Sequence, residues 1–461
     1  MTRELSLFTH RIVKFFIEKI KNNLFDQKYE TLGNQVALGI FIFLKRSTML
    51  YSSRRTWLTS AGLLAISPFI PTEILGKSFL AAENNLTIGI NERLQRIQKA
   101  QKLLKQNKMA ALILDAGTNM EYFSGIKWNP SERSMLAILP ASGEIAYICP
   151  AFEEDRFREV LQIGIRVYTW DEHENPFALT GTLLKDLGFR TGNIGIEEHT
   201  RFFIADGLKK ALPSFSFVSG DSVTVPCRLI KSPTEIALMQ RANDITTQAI
   251  QFGIQFLAEG INPRIISQKI AQKHAELGAS HKFASVTFGV ATSFPHGSSR
   301  PQILKKGDVV MLDCGCAVSG YESDITRTIV FGDANEKQRQ IWNLEKEAQA
   351  AGFQAAQLGK ACEEVDFAAR NVLVNAGFGP GYQLPGLPHR TGHGIGMEGH
   401  EWGNMVKGNR LALTPGMCFS IEPTIAIPNE FGIRLEDCVY MTEQGPKWFS
   451  QPSPSIDQPF R

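Results

Sequence analysis

The sequence predicts two folded domains, an α/β unit followed by an α+β unit, behind a long amino-terminal segment. A chain of 461 residues is too long for one average domain. From Ile90 to about Val225, helical and strand-like stretches alternate, a pattern typical of α/β structure. From Phe283 to Tyr440, short apolar strands and tight turns dominate and one helical stretch interrupts them. This second pattern favours an α+β unit.

The composition is that of a globular protein with no preference for nucleic acid. Hydrophobic residues make up 43% of the chain and charged residues 21%, which argues against extensive disorder. The net charge of +3 is too small to indicate a nucleic-acid surface. The seven cysteines are odd in number and lack regular spacing. We therefore expect buried thiols, including Cys314 and Cys316 on one face of an apolar strand, rather than disulfides.

The amino-terminal segment has the pattern of a targeting sequence. Ser53-Arg54-Arg55-Thr56-Trp57-Leu58 precede the mostly apolar stretch from Ala61 to Ile70, which resembles a twin-arginine export signal. We expect residues 1–48 to be an extension outside any domain, residues 49–82 to be the signal, and translation to begin at Met49. The protein would then be periplasmic or otherwise exported.

An alternative for this segment is an amphipathic or surface anchor, because the apolar run is shorter than the roughly 18 residues that span a bilayer. Under this alternative, the protein would be cytoplasmic or membrane-associated.

The first domain, residues 90–225, is predicted from helix and strand patterns alone. Asn91 to Asn107 has apolar residues at helical spacing, and Ala110 to Leu114, Ala137 to Leu139 and Glu144 to Cys149 read as strands. No metal-ligand or nucleophile spacing occurs here. We expect this domain to shape the site or to support an oligomer.

A helix start marks the boundary of the second domain, residues 230–445. Ser232 can cap the helix, Pro233 suits its first position, and Glu235 completes a capping box. A second helical stretch is expected from Lys337 to Leu358.

Two carboxylates are predicted to meet on a first β-hairpin. Asp313 lies in an apolar strand pattern, Asp324 begins another, and Ser319-Gly320 can form the turn between them. Such a hairpin would set the two aspartates roughly opposite each other. Because like charges this close are unfavourable without a cation between them, the arrangement indicates metal.

A second hairpin repeats the arrangement with two glutamates. A turn at Pro428-Asn429-Glu430, with Asn429 as its centre, pairs Glu422 with Glu436. Between the hairpins lies Leu387 to Glu401, a glycine-rich segment with three histidines. Four carboxylates and an imidazole suit two divalent cations of the manganese, cobalt, iron or zinc kind. Two such ions about 3.5 Å apart can share a water and lower its pKa, so that hydroxide is available at neutral pH.

These motifs resemble the pita-bread metallopeptidases, the family of methionine aminopeptidase, aminopeptidase P and prolidase. The resemblance covers residues 90–445 when the first domain, similar to the amino-terminal domain of creatinase and prolidase, is included. It implies a pita-bread catalytic domain that follows a smaller α/β domain and holds two divalent metal ions. Manganese is the first choice for these ions. The five implied metal ligands are Asp313, Asp324, His393, Glu422 and Glu436.

The resemblance also implies roles around the metals. His296, in Pro295-His296-Gly297, would contact the substrate, and His389 and His400 would line the site and stabilise the tetrahedral intermediate. Glu422 would double as the proton shuttle, and Arg434 would lie near the substrate. Structural alternatives stay open, because histidines beside glycine are often structural and Arg434 could simply pair with Asp437 or Glu430.

The extra first domain favours the Xaa-Pro branch of the family, and therefore hydrolysis of the bond between an amino-terminal residue and a following proline. The expected partner is a short peptide with proline at its second position, and the expected assembly is a homo-oligomer, a dimer or a tetramer. Dipeptides and longer peptides are both open. Two alternatives are a creatinase-like, metal-independent C–N hydrolase and a non-catalytic peptide-binding pita-bread module, and the complete ligand set argues against both.

Overall fold

The computed structural model describes residues 86–460. The predicted extension, export signal and start at Met49 lie outside these residues and stay predictions. Within the described part of the chain, no helix is long and apolar enough to cross a membrane.

The first domain is built on a six-stranded sheet with the order β4-β3-β2-β1-β5-β6. The central strands β1, β2 and β3 are antiparallel, and the outer strands β4, β5 and β6 join them in parallel. The strands are β1 (Met109–Asp115), β2 (Leu136–Pro140), β3 (Ala146–Pro150), β4 (Arg166–Trp170), β5 (Gly192–Ile196) and β6 (Phe215–Ser219). The helices are α1 (Ile90–Gln106), α2 (Thr118–Ser124), α3 (Glu154–Val160), α4 (Pro176–Asp186), α5 (Phe202–Ala211) and α6 (Asp221–Leu229).

Helices cover both faces of this sheet, which explains why its central strands are apolar without alternation. Leu112 and Leu114 of β1 pack into one core, whereas Ala111 and Ile113 pack into another on the opposite face. The predicted first helix and the three predicted strands are confirmed, with ends that differ by one or two residues.

The second domain combines three small antiparallel sheets with four helices longer than three turns. The first sheet has the strand order β10-β8-β7, and β9 also pairs with β8. The second sheet has the order β12-β11-β13-β16-β17, and the third consists of β14 and β15. The strands are β7 (Ser280–Phe288), β8 (Val309–Val318), β9 (Tyr321–Glu322), β10 (Ile325–Val330), β11 (Gly392–Gly394), β12 (Glu401–Met405), β13 (Cys418–Ile421), β14 (Thr424–Ile427), β15 (Phe431–Arg434), β16 (Asp437–Thr442) and β17 (Gly445–Trp448). The helices are α7 (Pro233–Ile254), α8 (Pro263–Glu276), α9 (Glu336–Ala355) and α10 (Cys362–Asn375).

The predicted capping box at the start of α7 is confirmed. The Ser232 hydroxyl accepts the Glu235 N–H at 3.2 Å, and the Glu235 carboxylate accepts the Ser232 N–H at 2.7 Å. The expected helix from Lys337 to Leu358 corresponds to α9, but the prediction of a single interrupting helix was wrong because α10 follows it. All seven cysteines are buried free thiols, as predicted.

The register of the first hairpin differs from the prediction. Asp313 pairs with Thr326 rather than with Asp324, which lies just before β10 and two residues closer to the turn. The two aspartates are therefore diagonal neighbours. They still share one face of the sheet, because side chains alternate with a period of two.

The register of the second hairpin agrees with the prediction, although the hairpin is split between two sheets. Near the turn, Thr424 pairs with Arg434, and farther away Ile421 pairs with Asp437. Glu422 and Glu436 fall at the break between these ladders. There the backbone of Glu436 exchanges hydrogen bonds with Thr326 instead, which joins the second hairpin to the first.

Candidate metal centre

The five predicted metal ligands come together at the junction of the two hairpins and strand β11. Oxygen atoms of Asp313, Asp324 and Glu436 lie within 4.8 Å of one another, and so do ligand atoms of His393, Glu422 and Glu436. Glu436 belongs to both groups and therefore joins them. Two adjacent sets of three ligand atoms are an arrangement that suits a pair of ions.

His393 presents one ring nitrogen to the acidic residues. Its Nε2 lies 3.2 Å from Glu422 Oε1, 3.7 Å from Asp324 Oδ2 and 3.8 Å from Glu436 Oε1. Its Nδ1 lies 3.1 Å from the Gly394 carbonyl oxygen, so a proton on Nδ1 can be donated there and leave the Nε2 lone pair free. Burial lowers the pKa of His393 well below its usual value. The imidazole is therefore neutral, the form that binds a metal.

The carboxylates of the cluster repel one another in a buried environment. Burial, and then the neighbouring acids, raise the pKa values of Asp324 and Glu436 well above their ordinary values. Burial raises the pKa of Glu422 to about 7, although Arg434 opposes the shift. These directions mean that the polypeptide alone does not compensate the negative charge that would accumulate here.

Three of the four carboxylates also have a buried oxygen without a hydrogen-bond donor. These atoms are Asp313 Oδ1, Asp324 Oδ1 and Glu436 Oε1. Buried polar atoms are normally hydrogen-bonded, so unpartnered oxygens clustered around a neutral imidazole fit divalent cations, which are bound by such ligands. The residues present therefore fit the predicted metal pair.

Arg434 is a cation in contact with the cluster, and it is buried. Its guanidinium binds the Asp313 carboxylate, donates from Nε to Thr326 Oγ1 at 3.0 Å, and donates from Nη1 to the Pro295 carbonyl at 3.1 Å. The alternative pairings are wrong, because Asp437 pairs with Arg327 and Glu430 with Lys337. Arg434 thus connects a predicted ligand to the loop that carries His296.

The three additional histidines lie around the cluster. The rings of His393 and His400 meet edge to face with their centroids 4.2 Å apart. His389 Nε2 lies 3.1 Å from Thr424 Oγ1, and burial, followed by the charge of Arg434, lowers the pKa of His389 to about 4. Burial also lowers the pKa of His400, and the charges of Arg390 and His296 act in the same direction. His296 itself is exposed.

Two residues that the sequence analysis did not single out position the predicted ligands. Thr326 Oγ1 donates to Glu436 Oε2 at 2.7 Å, and Ser420 Oγ donates to Glu422 Oε1 at 3.3 Å while it accepts the His393 N–H at 3.0 Å. Each lies two residues from a predicted ligand, Asp324 or Glu422, and so shares its face of the chain. That spacing is the signal that could have identified both.

Comparison with known proteins identifies the family. Residues 237–443 match the metallopeptidase family M24, and residues 96–230 match the creatinase/prolidase amino-terminal domain. An Xaa-Pro dipeptidase of Lactobacillus helveticus is 30% identical over 364 residues, which cover 77% of this chain and 96% of the relative. The chain belongs to the M24 metallopeptidase family.

Further similarities of this M24 metallopeptidase support the same assignment. An uncharacterised peptidase of Schizosaccharomyces pombe is 34% identical, over 77% of this chain and 79% of the relative. The crystal structure of the dipeptidase PepE from Mycobacterium ulcerans superposes with a TM-score of 0.75 at 28% identity, over 81% of this chain and 100% of that one. The predicted fold, a pita-bread domain behind a creatinase/prolidase-type domain, is confirmed.

Proposed function

We propose that this metallopeptidase cleaves the bond between an amino-terminal residue and a following proline, in Xaa-Pro dipeptides or short Xaa-Pro peptides. The proposal rests above all on the buried cluster of four carboxylates and one neutral imidazole, whose unpartnered oxygens fit two divalent ions. The Lactobacillus helveticus relative is named an Xaa-Pro dipeptidase, which supports the choice of substrate.

Manganese is the first choice for the two ions. The residues that would hold them are Asp313, Asp324, His393, Glu422 and Glu436. When bound, the metal pair supplies a Lewis acid and a shared water of lowered pKa at neutral pH. Thr326 and Ser420 keep the Glu436 and Glu422 carboxylates oriented through the hydrogen bonds described above.

The side chains around the ions would handle protons and the developing charge. Glu422 is 9% exposed, whereas Glu436 is 1% exposed, so Glu422 is the better placed of the two to carry a proton to the leaving nitrogen. His400 and His296 are exposed, and the His400 ring lies against His393; a ring N–H of either histidine would stabilise the oxygen anion of the tetrahedral intermediate. His389 and Arg434 complete the proposed substrate contacts.

A combined metal and substrate assay tests this proposal. Protein purified without chelator is expected to contain about two equivalents of divalent metal and to hydrolyse Ala-Pro in the presence of Mn²⁺ far faster than Ala-Ala. Asp324→Asn is expected to be inactive, and Asp457→Asn, a control on the exposed surface, to retain activity. Less than one equivalent of metal, or equal rates on the two dipeptides, would contradict the proposal.

The same panel separates the alternatives. Comparison of Ala-Pro with Ala-Pro-Ala decides between dipeptides and longer peptides. Hydrolysis of creatine without metal would favour the C–N hydrolase, and binding of Xaa-Pro peptides without turnover would favour the non-catalytic module. Export and a dimeric or tetrameric assembly remain proposals from the sequence, which cell fractionation and light scattering would test.

A further inference from the structure

The loop that carries His400 has little regular structure of its own. Residues 395–400 join β11 to β12 without helix or strand, and they include Gly396 and Gly399. Glycine-containing segments have wide conformational freedom. Yet the loop holds the His400 ring edge-on against His393. Contacts from outside the loop help to determine its conformation, among them the hydrogen bond from the Glu322 N–H to the Gly396 carbonyl at 2.7 Å.

Glu401, the residue after His400, provides the principal contact. Its Oε1 accepts the Met397 N–H at 2.9 Å and the Glu398 N–H at 3.3 Å, so the carboxylate folds back onto the loop. Its two oxygens also bind Arg228 Nη2 at 2.6 Å and Lys231 Nζ at 2.9 Å. All three charged side chains are buried. The loop is thus held through a buried carboxylate, both of whose oxygens accept hydrogen bonds.

Both cations come from outside the loop. Arg228 lies in α6, the last helix of the first domain, and Lys231 lies in the linker that leads to α7. Arg228 makes further contacts, from Nη2 to Glu398 Oε2 at 2.9 Å and from Nη1 to Asn119 Oδ1 at 3.1 Å, and its Nη1 lies 4.0 Å from Glu198 Oε1. Asn119 is itself a residue of α2 in the first domain. The first domain therefore reaches the carboxylates of the His400 loop through this guanidinium, and it also contacts the loop through His199, whose Nδ1 lies 3.4 Å from Glu398 Oε1.

Charges of both signs meet in this contact. Arg228 and Lys231 both bind Glu401, and Arg228 also lies near Glu398 and Glu198. Burial by itself raises the pKa of Glu401, but Lys231 and Arg228 outweigh it and lower that pKa to about 2. Buried ion pairs of this kind are costly to open, because removal of one partner leaves an uncompensated charge.

The fit around Gly396 shows how closely these groups pack. A Cβ atom at Gly396 would lie 2.7 Å from Glu401 Oε2 and 2.8 Å from Lys231 Cε. Any side chain there would displace the carboxylate from its cation. Glycine at this position therefore permits the close approach of Glu401 and Lys231 to the backbone of the loop.

We propose that Arg228, Lys231 and Glu401 form a positioning clamp that fixes His400 at the metal centre, and that the first domain contributes to catalysis through it. The inference rests on the proposed function, in which His400 contacts the reacting carbonyl. The three clamp residues act through His400 and do not touch the substrate.

Steady-state kinetics of variants in the wild-type and His400→Ala backgrounds test the clamp. Arg228→Met and Glu401→Gln, assayed on Ala-Pro with saturating Mn²⁺, are expected to lower kcat roughly ten- to a hundredfold, with KM within about twofold. In a His400→Ala background neither change should lower kcat further, because the effect passes through His400. Effects that multiply in the double variants would overturn the clamp.

Arg201→Met is the matched control. Arg201 also forms an ion pair within the first domain, with Asp115 at 2.8 Å, but none of its hydrogen bonds or ion pairs reaches the loop. Its kinetics are expected to equal those of the wild type. A loss equal to that of Arg228→Met would show a general effect of the first domain and overturn the clamp.

Hydrogen exchange on the metal-free protein gives a readout that does not depend on activity. The amides of Met397 and Glu398, which donate to Glu401, are expected to exchange about tenfold faster or more in Arg228→Met and Glu401→Gln. Unchanged exchange would overturn the clamp whether or not the protein is active. A wild type that is inactive on every Xaa-Pro peptide would refute the proposed function separately. If Arg228→Met does not fold, Glu401→Gln, which preserves side-chain volume, decides both measurements.

Discussion

Two groups of acidic side chains in the second domain are compensated in opposite ways. At the clamp, Arg228 and Lys231 bind the buried Glu401, Arg228 also binds the partly exposed Glu398, and the pKa of Glu401 falls to about 2. At the metal centre, four carboxylates share Arg434, and the pKa values of Asp324, Glu422 and Glu436 rise.

This difference shows which cluster the polypeptide completes by itself. A carboxylate that the fold supplies with cations and donors is stabilised as an anion, whereas one surrounded by other acids is not. The clamp is therefore structural in the absence of any ligand. At the candidate metal centre, the raised pKa values of Asp324, Glu422 and Glu436 mean that the metal-free fold disfavours the ionised carboxylates.

The largest expected effect is at Asp324. Asp324→Asn should lower activity by at least about a hundredfold, because it removes a predicted ligand. In the metal-free protein the same change should raise the melting temperature, since the folded state no longer has to protonate or tolerate this buried acid. Melting curves with and without Mn²⁺ check both parts. A metal-free variant less stable than the wild type would remove the contrast between the clusters.

The corresponding change at the clamp should have the opposite sign. Glu401→Gln is expected to destabilise the protein by about 3 kcal/mol, because it removes the anion that binds the buried Lys231 and the closest anion of the buried Arg228. Urea unfolding of the metal-free protein measures the difference. A variant as stable as the wild type would mean that Glu401 is not needed to compensate these buried cations.

The two clusters should also respond to pH in different windows. The pKa of Glu422 is raised to about 7. Between pH 4.5 and 7, the metal-free folded state therefore holds a proton that the unfolded state releases. The free energy of unfolding falls as pH rises through this window, by on the order of 2–3 kcal/mol. The pKa of Glu401 is depressed, so its contribution is complete above pH 4.5 and is lost as pH falls towards 2.

Urea unfolding at pH 5 and pH 7, with and without Mn²⁺, distinguishes these windows. Saturating metal should abolish the loss of stability between the two pH values, because bound cations replace the protons. Stability that rises from pH 5 to pH 7 in the metal-free protein would contradict the unbalanced charge of the metal centre.

The smallest effect is expected at an exposed pair. Lys337 and Glu430 form an ion pair in which both side chains are about half exposed. Lys337→Ala should shift the melting temperature by less than about 1 °C, because solvent screens such pairs. A shift as large as that of Glu401→Gln would show that burial is not what distinguishes the clusters.

Both predicted turns are correct, but only on the second hairpin did the predicted pairing of the carboxylates follow from the turn. The turn centred on Asn429 was enough to place Glu422 opposite Glu436, because register follows from the turn. On the first hairpin, an error of two residues left Asp313 and Asp324 on the same face but not opposite each other. Helix α10 was missed although its buried residues Cys362, Val365, Ala369 and Leu373 follow helical spacing.

By itself, the sequence determined the identity and order of the acidic residues and histidines, the apolar strands that carry them, and the family to which they belong. These properties are local, since they follow from residue type, periodicity and turns. Only the tertiary structure decided that Arg434 binds Asp313, that Thr326 supports Glu436, and that Arg228 of the first domain holds the His400 loop. Those partners are separated by about a hundred residues or more along the chain, and no local pattern specifies which of several charged residues will meet once the chain has folded.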